Sequence, residues 1–204
     1  GYDKKFFAYF MDMGTGKSKV LLDNIGILRQ RGEISCACII APKSVYMNWF
    51  YNELEKHLSS DIPLDVLCWS PSKSAHFEGE RLLFMNVEAL STKRGAEFWF
   101  SVAKAYPDML LAVDESTTIK SRTAARTKAL TRIAKHVKYK RILTGSPITQ
   151  SPLDLFSQCE FLERGCLQQA SYWGFLNRYA KVQRRTLGAH SFQQVMGYQN
   201  LDEL

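Results

Sequence analysis

Asp12-Met13-Gly14-Thr15-Gly16-Lys17-Ser18 decides how this chain is read. It separates the apolar run Phe6-Phe7-Ala8-Tyr9-Phe10-Met11 from a helical pattern over Lys17 to Arg31. In that pattern Val20, Leu21, Asn24, Ile27 and Leu28 fall near one face, and Gly32 supplies a stop. A strand, a glycine turn and a helix in this order form a phosphate cradle. The glycines let the backbone turn tightly, so that successive N–H groups aim at phosphate oxygens. The helix N-terminus adds its partial positive charge. Met13, Gly14, Thr15, Gly16, Lys17 and Ser18 are the expected phosphate-binding residues. Lys17 reaches the β- and γ-phosphates of ATP, and the Ser18 hydroxyl ligates Mg²⁺. The general pattern G-x-x-x-x-G-K-S/T asks for glycine where Met11 stands, so it is matched in part. The bland alternative is a chance glycine turn before a helix.

The rest of the chain keeps the same alternation. Ala37 to Ala41 is a strand closed by Pro42, and Val45 to Leu58 is a helix carrying Trp49. Leu64 to Trp69, Arg81 to Asn86 and Met109 to Val113 are strands. Arg122 to Lys135 is a basic helix, and Arg141 to Leu143 a strand running into Thr144-Gly145-Ser146-Pro147. Such alternation predicts an α/β fold, mostly parallel, with helices on both faces. Ligands then gather beyond the carboxyl ends of the strands. After Pro152 the pattern changes. Leu153 to Leu162 and Tyr172 to Tyr179 read as helices, and Lys181 to Thr186 with Ser191 to Met196 as a hairpin around Leu187-Gly188-Ala189-His190. The expected organisation is residues 1–150 as an ATP-binding lobe and residues 151–204 as a short helical and hairpin extension.

Met109-Leu110-Leu111-Ala112-Val113-Asp114-Glu115 is an apolar strand that closes on two acids. Adjacent carboxylates repel, and a cation gives them a reason to coexist. Asp114 is expected to hold Mg²⁺, and Glu115 to orient and deprotonate an attacking water. A helix-capping acid pair on a surface loop is the competing reading.

Hydrophobic residues at 46% and charged residues at 23% belong to a globular chain and exclude disorder. No apolar run reaches the roughly 18 residues that a membrane span needs, so the reading is a soluble, cytoplasmic protein without a membrane partner. Cys36 and Cys38 share one strand face with Ala37 opposite, and the five cysteines lack metal-like spacing, which makes them reduced thiols packed as small apolar groups. The net charge is +7, yet Arg122 to Arg141 holds eight basic residues and no acid, so the remainder nets −1. A basic segment on a near-neutral body points to a polyanion, or else to a solvated helix face.

The ordered motifs resemble those of superfamily-two helicases. Asp12 to Ser18, then Ala41-Pro42-Lys43-Ser44-Val45 with Trp49, then Asp114-Glu115, then Leu143-Thr144-Gly145-Ser146-Pro147-Ile148 are most similar to the Swi/Snf branch, especially its short bacteriophage and bacterial members. That branch reads D-E-M-G-x-G-K-S/T at its phosphate loop, which accounts for Met11. It reads L-T-G-T-P where Ser146 stands here, and often D-E-x-H where Ser116-Thr117 follow Glu115; Lys120 fits a D-E-S-x-x-I-K variant. The match spans about residues 8 to 160. The resemblance implies a RecA-like lobe. It puts Pro42, Lys43, Ser44 and Trp49 on a surface that tracks a nucleic-acid backbone, with Asn86, Glu88 and Ser91 in a second backbone-contacting motif. Thr144, Gly145 and Ser146 would couple the γ-phosphate site to nucleic acid. Read by chemistry alone, Ser44 can simply cap a helix, Trp49 is more often a core residue than a base-stacking platform, and Thr144-Gly145-Ser146-Pro147 can be a mere turn.

The function expected is that of the ATP-binding lobe of a nucleic-acid-stimulated ATPase, a helicase or translocase that couples hydrolysis to movement on DNA or its remodelling. Such enzymes hold ATP between two lobes. No second set of motifs follows, and no glutamine that could read adenine occurs among residues 1–13, so a second RecA-like lobe is expected outside this chain. Arg178, Lys181, Arg184 and Arg185 would approach nucleic acid or that lobe, or form a solvated rim. A viral DNA-packaging motor and a non-catalytic nucleotide- or DNA-binding scaffold are the alternatives.

Overall fold

A computed structural model describes residues 3–58, 65–72, 81–187 and 190–204. Leu64 of the third expected strand and the hairpin tip at Gly188-Ala189 lie outside these. The strands are β1 (Phe6–Phe10), β2 (Cys36–Ala41), β3 (Asp65–Cys68), β4 (Arg81–Asn86), β5 (Leu110–Asp114) and β6 (Tyr139–Thr144). They form one six-stranded sheet in the order β1-β6-β5-β2-β4-β3, and every pair is parallel. The expected parallel α/β fold is therefore present.

Period-two alternation builds two cores from one sheet. Cys36, Cys38 and Ile40 of β2, Leu83 and Met85 of β4, Leu111 and Val113 of β5 and Ile142 of β6 face one side. There they meet the helices α4 (Lys93–Ala105), α5 (Ala125–Ile133) and α6 (Asp154–Leu162). Ala37, Ile39 and Ala41, then Leu82 and Phe84, then Leu110 and Ala112, then Tyr139 and Leu143 face the other side. That face is covered by α1 (Lys17–Gln30), α2 (Tyr46–Asn48), a π-helical turn (Trp49–Glu53) and α3 (Leu54–His57). Gly32 ends α1 with φ +66, and the Glu33 amide bonds to the Leu28 carbonyl at 2.9 Å, a closure that a left-handed residue permits. Beyond β6, α7 (Tyr172–Tyr179) leads into the antiparallel hairpin β7 (Ala180–Leu187) and β8 (His190–Tyr198). Phe156, Phe175 and Tyr179 form a separate small core there.

One expectation fails at the basic segment. Arg141 does not belong to a surface patch: it lies on the α1 face of β6 between Tyr139 and Leu143 and is 0% exposed. Its guanidinium donates to Asn24 Oδ1 (2.8 Å) and to the carbonyls of Lys4 (2.9 Å) and Lys5 (3.2 Å). Other members also serve the fold. Arg126 Nε donates to the Thr118 carbonyl, Arg132 stacks on Phe100, and Arg122 stacks on Tyr172 and Trp173. Arg141→Met is expected to cost about 3 kcal/mol, because several acceptors, the buried Asn24 Oδ1 among them, lose a charged donor. Urea denaturation reads this directly. A variant as stable as the parent but weaker on nucleic acid would restore the surface-patch reading.

Candidate functional site

The strand order places the site. β6 lies between β1, which feeds the phosphate loop, and β5, which carries the acids. Three adjacent strand ends thus deliver Met13 to Ser18, Thr144 to Ser146 and Asp114-Glu115 to one edge. The Met11 amide donates to the Thr144 carbonyl at 3.2 Å. A β-carbon on Gly145 would lie 3.5 Å from the Met11 carbonyl oxygen and 3.6 Å from the Met13 nitrogen, so the β6 end runs along the phosphate loop.

In the loop, Gly14 and Gly16 take φ +77 and +89, a region where L side chains are strained. Gly16 is the residue from which α1 starts. Lys17 and Ser18 open the helix, and their amides have no partner inside it. The Lys17 ammonium curls over the loop and donates to the Met11 and Asp12 carbonyls, both at 2.9 Å. Thr15 Oγ1 closes the turn onto the Asp12 carbonyl at 2.7 Å. A β-carbon built on Gly14 or Gly16 would meet nothing within 4 Å, so it is the positive φ and not crowding that calls for glycine there.

Asp114 ends β5, is buried, and is held from two sides. Trp49 Nε1 donates to Oδ2 at 2.7 Å, and the Glu115 amide donates to Oδ1 at 2.9 Å. Burial pushes the carboxyl above its ordinary range; the two N–H donors and the Lys17 charge pull it down, and Glu115 pushes it up. Glu115 is one of three non-glycine residues with positive φ among those described, at φ 47 and ψ 60. A continued strand would send successive side chains to opposite faces. The left-handed turn breaks that alternation, which leaves Glu115 within electrostatic reach of Asp114. Backbone strain of this kind is held only where surrounding structure over-determines it. The donor set, one hydroxyl in the first turn of α1 and one oriented carboxylate, suits a hydrated Mg²⁺ of a nucleotide.

Trp49 corrects the resemblance. Its expected place was a nucleic-acid surface, yet it is 1% exposed in the α1-side core, with its indole N–H on Asp114. It opens a π-helical turn, a distortion that often re-aims a side chain at a functional site. Trp49→Ala is expected to lower stability by about 3–5 kcal/mol through the cavity it leaves. Trp49→Phe should keep most of the packing and weaken Mg²⁺-dependent nucleotide binding, since Asp114 loses one donor. Thermal melts with calorimetry at varied Mg²⁺ separate the two; an unchanged melt for Trp49→Ala would contradict the buried placement.

The other nucleic-acid candidates lie at the ends of β2 and β4. Lys43, Ser44 and Ser91 are exposed, and Pro42 is half-buried, its carbonyl taking the Val45 and Tyr46 amides. Glu88 joins the two strand ends through the Lys43 amide at 3.1 Å. Ser44 does not cap the following helix, which has Val45 at that position. Asn86 Oδ1 accepts from the Ala89 amide at 2.9 Å and so fixes the turn after β4. Thr144 is buried, with Oγ1 taking the Ser146 amide at 3.2 Å, while Ser146 is exposed. Arg178 at the end of α7 is paired with Glu203 at 2.6 Å, and Arg184 in β7 donates to Ser191 Oγ at 3.0 Å.

The model of the SNF2-related domain matches residues 10–197. The chain belongs to that family. It is 29% identical over 195 residues to the mouse "DNA annealing helicase and endonuclease ZRANB3", covering 95% of this chain and 17% of that protein. The human protein of the same name is 28% identical over 205 residues, with the same coverage. The chain thus spans about a sixth of the length of these relatives. Among solved structures it resembles the Sulfolobus solfataricus SWI2/SNF2 ATPase core domain, with a TM-score of 0.65 and 25% identity over 87% of this chain and 34% of that one. The same core in complex with dsDNA gives a TM-score of 0.68 at 23% identity, over 85% of this chain and 34% of the other. The fold is the RecA-like ATPase fold of that core.

Proposed function

We propose that this SNF2-related domain is the ATP–Mg²⁺-binding lobe of a DNA-stimulated ATPase that moves on or remodels duplex DNA. One observation carries the reading: the order β1-β6-β5 sets the phosphate loop, the Thr144 turn and the Asp114-Glu115 pair side by side. Lys17 and the loop amides bind the β- and γ-phosphates. Ser18 and Asp114 hold Mg²⁺, which supplies positive charge that offsets what builds on the phosphoryl oxygens. Glu115 orients a water and takes its proton. Thr144, Gly145 and Ser146 connect that chemistry to nucleic acid held at Pro42, Lys43, Ser44, Asn86 and Ser91. DNA is favoured as the track by relatives named DNA annealing helicases and by the SWI2/SNF2 core with dsDNA. Contacts made by lysine, hydroxyl and amide groups on phosphates carry little base information. Residues 1–150 form the lobe, and residues 151–204 an extension toward a second RecA-like lobe. The free thiols suit a reducing, cytoplasmic setting.

The deciding experiment measures ATP hydrolysis by a two-lobed parent with single-stranded, duplex or branched DNA, or RNA. Stimulation by DNA is expected. Lys17→Ala should abolish nucleotide binding and leave the fold intact, because alanine is well tolerated at the start of a helix. Equal ATP affinity of variant and parent by calorimetry would refute the phosphate-loop assignment, and binding without turnover in the parent would leave a scaffold.

A further inference from the structure

Two turns leave the sheet beside each other. One follows the acids and runs through Ser116 to Lys120; the other follows β6 and runs from Gly145 to Ser151. They do not touch only through the sheet. Ser116 Oγ donates to Gln158 Oε1 at 2.6 Å, and Gln158 Nε2 donates to the Pro147 carbonyl at 2.7 Å and to the Asp154 carbonyl at 2.9 Å. Ser116 and Gln158 are both 0% exposed. The orientation of the amide is dictated by its partners: Pro147 and Asp154 offer only carbonyl oxygens, so the NH₂ must face them and the oxygen must face the serine hydroxyl. A second tie lies nearer the surface. Lys120 Nζ donates to Thr149 Oγ1 at 2.7 Å and Gln150 Oε1 at 3.1 Å, and stands 3.5 Å from the Asp154 carboxylate. That carboxylate in turn takes the Thr149 and Gln150 amides at 3.1 and 2.9 Å.

We propose that Gln158 is a positioning residue which transmits movement of the Thr144–Pro147 turn to Glu115 through Ser116. Energetic coupling can be carried by packed side chains and hydrogen-bond networks, and this one is short, with Ser116 and Gln158 buried. Its two ends are the relevant ones. Pro147 follows Ser146 directly, and Ser116 follows Glu115 directly. Glu115 is held at φ 47 and is bonded directly to Ser116, so a shift of Ser116 reaches the Glu115 backbone. Gln158 itself touches neither the phosphate loop nor the acids among its described bonds; it acts through its two neighbours. The inference rests on the reading of the chain as a lobe of a DNA-stimulated ATPase.

The test uses the two-lobed parent. Gln158→Met keeps length and apolar bulk while removing both ends of the link; Ser116→Ala removes one end with less risk to folding; the double variant leaves no unpaired hydroxyl. Basal ATP hydrolysis and the KM for ATP should stay within about twofold, whereas DNA-stimulated kcat should fall about tenfold, as expected for loss of coupling between sites. The double variant should be no worse than Gln158→Met alone, because both cut the same link. Stimulated kcat unchanged in the folded variants, or basal and stimulated rates falling by one common factor, would overturn the proposal and leave Gln158 a packing residue. If Gln158→Met does not fold, Ser116→Ala decides by the same criteria. A wild-type parent that DNA fails to stimulate would overturn the functional reading itself, a result distinguishable from either.

Discussion

A two-lobed parent carrying Glu115→Gln should bind ATP–Mg²⁺ as the wild type does and hydrolyse it about 10²- to 10⁴-fold more slowly, the usual contribution of a positioned general base. The amide preserves the size and the hydrogen-bonding reach of the side chain and cannot accept the proton of the attacking water. The fold should not suffer. Glutamine meets the same left-handed backbone at φ 47 as glutamate does. Removing its charge also relieves the repulsion that Glu115 exerts on the buried Asp114. Binding should survive because, in the proposed assignment, Lys17 and the loop would meet the phosphates and Ser18 and Asp114 would hold the metal. Asp114→Asn gives the opposite pattern. It leaves Glu115 its charge, weakens the Mg²⁺ dependence, and sets a side chain that can offer an NH₂ against the Trp49 and Glu115 N–H donors. Single-turnover hydrolysis with calorimetric binding at several Mg²⁺ concentrations distinguishes the two variants. Normal turnover by Glu115→Gln would show that another group activates the water.

Much of the fold is legible because its signals are local. The glycine turn at Gly14 and Gly16, the apolar strands β2 and β5, and the stop at Gly32 each sit within a few residues of what they determine. Helix α4 is not among the expected elements, although its signal is present: Thr92 caps it through the Gly95 amide at 3.1 Å, and Phe98, Trp99, Val102 and Ala103 recur at helical spacing. The lysine and arginine at its start and the glycine at 95 mask that pattern. What sequence does not show is side-chain chemistry across long separations. Arg141 looks like one more cation of a basic run, and only Asn24, 117 residues away, makes it a buried structural residue. Trp49 reads as a core residue or a stacking platform. Its bond to Asp114, 65 residues on, makes it both a core residue and a support for the acid pair. Gln158 carries no motif at all, and its meaning comes from Ser116, 42 residues upstream.

The 204-residue chain by itself should be a nearly inert ATPase, about 10³- to 10⁵-fold slower than a protein that joins it to a second lobe. The argument is geometric. The phosphate loop, Thr144, Asp114 and Glu115 come from three adjacent strand ends of one sheet, so they meet the nucleotide from one side. That side can bind phosphates and aim a water. Charge that develops on the transferring phosphoryl group also needs a cation on the far side, and an arginine placed there supplies the factor stated above. Several arginines of this chain are committed elsewhere, among them Arg141 to Asn24, Arg126 to the Thr118 carbonyl and Arg178 to Glu203. Nucleotide should meet the lobe alone mainly through its phosphates, so inorganic phosphate or sulfate should compete for the loop. Supplying a second lobe, in cis or as a separate chain, should raise turnover, and DNA should raise it again by closing the cleft. The measurement is steady-state phosphate release by the purified chain with and without DNA, beside the same chain carrying Lys17→Ala. Rapid turnover that needs no DNA and is lost with Lys17→Ala would mean that this lobe carries a complete site, and the half-site reading would have to be abandoned.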